Sequence, residues 1–184
     1  MRCVELRKTF SMLLGTFLMG IVLGVAYAYV QPEKAGEYVL KLAEELGGLS
    51  PNPFDNFVKI FTHNAGVALL VLASGLFFGI GPWLMMLFNG AVVGIVVGFF
   101  AKIGAPLSQI ILGIVPHGVV EIPAFVLAGT AGIVWYRNIR EAEKPASGFK
   151  EGIKKALKLY AVAVGMLLIA AFIEAYVTPK VAGL

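Results

Sequence analysis

A single cysteine, Cys3, occurs in these 184 residues. An intramolecular disulfide is excluded, and so is a metal cage built from thiolates. Charge is also scarce: 14% of residues are Asp, Glu, Lys or Arg, against roughly 25% in an ordinary soluble domain. The formal net charge is only +4, and the basic residues crowd into two segments. That pattern carries topology information and is not a nucleic-acid footprint. Segments of alternating polar and apolar residues, the mark of a membrane β-barrel, are missing as well. There are two histidines in the whole chain, His63 and His117.

What the chain does have is long apolar stretches. It is 59% hydrophobic, with a mean hydropathy of +0.86 and 22 glycines. Runs of 18 or more apolar residues with few charges are candidate membrane helices. Five such spans are expected, at about 10–30, 54–80, 82–100, 106–136 and 156–177. The fold class is an all-α integral membrane bundle forming a single membrane domain.

Charge placement sets a direction. Arg2, Arg7 and Lys8 precede the first span, and the Arg137–Lys158 segment holds Lys154, Lys155 and Lys158 among its basic residues. Residues 31–57 are instead rich in acid, from Glu33 and Glu37 to Asp55. Since Lys and Arg favour cytoplasmic loops, the expected topology is a multi-pass cell-membrane protein with a cytoplasmic N-terminus and an external C-terminus. A competing reading takes Ala26-Tyr27-Ala28 as a signal cleavage site, but the apolar run before it is longer than the usual 7–15 residues. External segment 33–50 is expected to hold an amphipathic helix over 33–46, ended by Gly47-Gly48, that rests on the membrane surface or on the bundle, or docks a partner. Glycines at positions 20 and 24, 75 and 79, and 90, 94 and 98 form GxxxG repeats. Such repeats let helices approach, either inside the chain or in a homo-oligomer.

The fourth span is unusual. Residues 107–136 would make a helix of about 45 Å, against a hydrocarbon core of about 30 Å. Within it stand Pro116, His117, Gly118, Glu121 and Pro123. Proline removes a backbone donor and glycine weakens a helix, so a re-entrant break is expected near Pro116–Gly118. Depth counting from the span ends brings His63, Asn64, Asn89, His117 and Glu121 to one midplane cluster. His117 and Glu121, at i and i+4, share a face.

Three readings of this cluster stand open. The first is a hydrogen-bond network that holds the broken span, with no catalytic residue and no cofactor. The second is a zinc site with His63, His117 and Glu121 as ligands, serving an intramembrane hydrolase. The third is a path for a small solute or proton. Glu174 is expected outside the cluster, near the external boundary, solvated or paired with Lys59 or Lys102.

Phe61-Thr62-His63-Asn64, then Phe88-Asn89-Gly90, then Pro116-His117-Gly118-Val119-Val120-Glu121-Ile122-Pro123-Ala124 form a specific combination. It resembles the stage II sporulation protein M family of polytopic membrane proteins. The resemblance implies a non-catalytic scaffold that organises partner proteins of the membrane and cell envelope. Membrane lipid and further copies of the chain are the other expected partners, and nucleic acid is not. Scaffolding leaves the chemistry of the midplane motif without a role.

Overall fold

The computed structural model describes residues 3–45 and 50–183. Among them the chain forms helices and no strand. Helix α1 spans Cys3–Val30 and α2 spans Pro32–Glu45, separated by Gln31 alone. Then come α3 (Pro53–Ser74), α4 (Gly81–Lys102), α5 (Leu107–Glu141) and α6 (Pro145–Phe172). A π-helical turn, Ile173–Val177, links α6 to the short α7, Thr178–Ala182. Five helical stretches are long and apolar enough to cross a membrane: α1, α3, α4, α5 and the run from α6 through α7.

Local sequence explains the helix starts. Asn52 caps α3 by accepting a hydrogen bond from the Phe54 amide, with Pro53 in the first turn, where a missing N–H costs nothing. Asn56 fastens the preceding loop: its amide donates to the Ser50 carbonyl at 2.9 Å and its Oδ1 accepts from the Ser50 N–H at 2.7 Å. The amphipathic segment does form a helix, α2, with Ala35 and Gly36 buried and Gly36 facing the Phe99 ring of α4. Burial, then the Glu45 carboxylate, push the Tyr38 phenol above its ordinary pKa. The expected terminator Gly47-Gly48 lies outside the described residues.

The expected break in span four is corrected. Helix α5 runs unbroken through Pro116 and Pro123 for 35 residues. An interior proline costs a helix about 3 kcal/mol. Opening the helix at membrane depth would strand several backbone groups, at several kcal/mol each. Continuity is the cheaper solution. The excess length emerges at the basic end, where α5 extends to Glu141 and α6 begins at Pro145. Most of the basic segment is therefore helical and not loop.

Two tight seams organise the bundle. On α4, a Cβ added at Gly90 or Gly94 would collide with the Phe17 or Ile21 carbonyl oxygen of α1, and one at Gly98 would press on Ala28 and Val25. Gly20 and Gly24 of α1 meet Leu87 and Ala91 in return. The glycine face of span three is thus occupied by α1 of the same chain. The second seam joins α5 to α6, where Gly148 and Gly152 sit against Asn138 and Trp135. Helix α3 packs on the second seam, with Gly75, just past its end, against Gly132 of α5 and the Ala65 carbonyl accepting from Tyr160 Oη of α6 at 3.0 Å. Towards the basic end Leu13, Val71, Met86, Ala128 and Leu167 close a continuous core. At the α2 end the two pairs diverge.

Candidate functional site

The divergence leaves a cavity of about 1020 Å³. Its mouth lies between the end of α2 (Leu42, Glu45) and the start of α3 (Asn56, Lys59). Its deepest walls are Phe17, Val67 and Phe125. One turn further along their helices stand the core residues Leu13, Val71 and Ala128. The cavity is therefore blind: open at the α2 end and plugged towards the basic end.

All five residues of the expected cluster line it, but not as equals. His63 is exposed near the rim. Asn64, one residue on, is buried. Asn89 donates its side-chain N–H to the Met85 carbonyl at 2.8 Å, one turn back on α4, which leaves its Oδ1 to the cavity wall. His117 and Glu121 project from one face of α5, as their spacing requires. Between them Gly118 is buried, and an added methyl there would meet nothing closer than 3.9 Å.

Glu174 belongs to this site and not to the external boundary, a correction to the expectation from sequence. His117 Nε2 lies 4.0 Å from Glu174 Oε2, the two side chains being 14% and 33% exposed. Neither Lys59 nor Lys102 pairs with Glu174; Lys102 sits over the Tyr29 ring, 5.4 Å from its centroid. His117, Glu121 and Glu174 each offer a ligand atom, and these atoms lie within 4.8 Å of one another. His63, one of the three ligands of the hydrolase reading, is not in this group. Glu121 Oε2 is enclosed and has no hydrogen-bond partner among the described residues.

An expected span ending at 177 put Glu174 at the boundary. The last helical run reaches Ala182, so Glu174 lies about 12 Å below its end, at 1.5 Å per residue. His117 is about 15 Å below the start of α5 by the same count. The overlooked signal was Pro179. Its ring crowds the carbonyl four residues back and it has no N–H to offer. The helix widens there, and the Thr178 N–H reaches the Ile173 carbonyl across five residues. A π-turn adds one residue to the turn and rotates the downstream residues by about 100°; such turns occur frequently at functional sites. Thr178, which sequence reasoning also missed, is buried and places Oγ1 3.5 Å from His117 Nδ1.

Five helices long and apolar enough to cross a membrane, around a cavity that brings one imidazole and two carboxyls together on a largely apolar lining, define a multi-pass α-helical membrane protein. The chain belongs to the Stage II sporulation protein M family, which it matches over residues 13–179. An uncharacterized protein of Methanocaldococcus jannaschii is 37% identical over 144 residues, covering 76% of this chain and 80% of its own length. No solved structure matches the chain.

Proposed function

We propose that the chain is a membrane-embedded binding protein that takes a small cationic ligand into its blind cavity from the external side. The enclosed Glu121 carboxyl carries this reading. A buried polar atom without a partner costs about 1–3 kcal/mol, and a ligand that satisfies it offsets that cost. Glu174 adds a second carboxyl to the same wall, so that carboxyls outnumber the one lysine, Lys59, in the lining, and an excess of negative charge attracts cations. The cytoplasmic N-terminus inferred from the charge bias puts the cavity mouth outside. Because the core closes the inner end, the reading is of binding, with release or transfer requiring a second conformation.

Thiol labelling tests this. Single cysteines at Asn64 and Ile114, in a Cys3→Ser background, should react with a small cationic methanethiosulfonate about tenfold faster than with its anionic counterpart. That preference should vanish in Glu121→Gln/Glu174→Gln, and a cysteine at Val126, in the core, should not react. Equal rates for the two reagents, or no reaction at either cavity position, would sink the proposal.

A second reading, the partner scaffold, is favoured by α2. Its outer surface carries Glu37, Lys41 and Glu44 beside an exposed Leu40, a surface suited to a protein partner. Replacing these four residues by Ser should release co-purifying envelope proteins while leaving the labelling pattern intact.

A further inference from the structure

The three ligand-bearing side chains come from two segments of the chain that are far apart in sequence, α5 and the π-turn after α6. They meet where no Lys or Arg pairs with either carboxyl group among the described residues. His117 is placed to act as a ligand and not as a counter-charge. Its Nδ1 faces Thr178 Oγ1 at the outer limit of a hydrogen bond. With the proton on Nδ1, the Nε2 lone pair is left free, and Glu174 Oε2 lies 4.0 Å from that nitrogen. This is the arrangement in which an oxygen acceptor behind an imidazole fixes its tautomer and orients it on a metal. Glu121 completes the wall with an enclosed oxygen that nothing else in the described chain uses.

We infer that His117 Nε2, Glu121 and Glu174 form a binding site for a divalent first-row transition-metal ion, with at least one coordination position open to the cavity. The inference rests on the cation-binding reading above and names its ligand class. A dication neutralises two carboxylates with a neutral imidazole, which returns the site to zero net charge where net charge is costly. The imidazole favours zinc, iron or nickel over magnesium and calcium, which prefer oxygen alone. Three protein ligands with an open position is the familiar pattern of an accessible zinc site. Tetrahedral binding at about 2.0–2.1 Å would draw the ligand atoms from separations of up to 4.8 Å to about 3.3 Å apart. Glu174, one-third exposed on the cavity side, has room to make that movement.

The test uses the full chain in detergent, stripped with chelator and re-equilibrated with zinc or cobalt. One zinc per chain is expected, undisplaced by excess magnesium. The cobalt form should show visible ligand-field bands of a low-coordinate site. Glu121→Gln, Glu174→Gln and His117→Gln should each weaken zinc binding by about a hundredfold or more. Thr178→Val, which removes only the group behind the imidazole, should weaken it by about tenfold. His63→Gln should bind as the native chain does, and size-exclusion profiles check that each variant is folded. Absence of stoichiometric zinc overturns the metal assignment; if the charge-selective labelling persists, the cation-binding reading still stands. Zinc that survives the three substitutions, or is lost with His63→Gln, overturns the ligand set.

Discussion

Glu121 is where this protein departs most from what stability alone would select. A structural carboxyl at membrane depth would be expected to share its oxygens with donors, and Glu121 Oε2 has none among the described residues. Replacing an unsatisfied polar group by an apolar one of similar shape is neutral or stabilising. In chelator-treated protein, Glu121→Met should therefore raise the thermal midpoint, by the equivalent of about 1 kcal/mol, while weakening cation-selective labelling. A lowered midpoint would instead mark the carboxyl as a strut of the fold, as the hydrogen-bond-network reading has it. Asn89 illustrates the opposite case: its amide is bound back to Met85 of its own helix. Asn89→Ala should change labelling of the cavity far less than Glu121→Gln does.

Among the elements, the glycine seam and the π-turn do different work. Lipid supplies no hydrophobic drive for helices to associate, so α1 and α4 adhere through backbone-to-backbone contact, which only small residues allow. Gly24→Ala places a methyl against the Ala91 carbonyl and 2.8 Å from the Ile95 amide nitrogen, and such overpacking costs about 1–3 kcal/mol. Gly66→Ala on α3 meets nothing within 4 Å and gains helix propensity, about 1 kcal/mol at most. Thermal scans of the two variants should move in opposite directions; equal tolerance would argue against the seam. The π-turn acts on the site. Pro179→Ala restores a backbone donor and removes the ring that widens the helix. It is expected to relax Ile173–Val177 towards α-helix, turn Glu174 from His117 and weaken zinc binding by about tenfold or more, with little change in melting.

At the scale of the molecule, two helix pairs sealed at the basic end and parted at the α2 end make a vestibule and not a channel. With the basic end cytoplasmic, an impermeant thiol reagent applied to intact cells should label a cysteine at Glu37 on α2 and should miss one at Glu143 until the membrane is opened. The reverse pattern would invert the bundle and turn the cavity mouth inward.

Composition and periodicity were enough to establish the five-helix membrane class, because the bilayer demands about 20 apolar residues per crossing whatever the packing. The i, i+4 pairing of His117 with Glu121 was also legible, since helical spacing is local. The continuity of α5 was not. Whether a proline breaks a helix depends on what the surroundings charge for exposed backbone groups, and that is a property of the packed bundle in lipid. Membership of Glu174 and Thr178 in the site, with the relegation of His63 to the rim, was decided only by tertiary structure. Those positions depend on helix rotation, one π-turn and the tilt at which two glycine seams close. Apolar pattern alone specifies none of these.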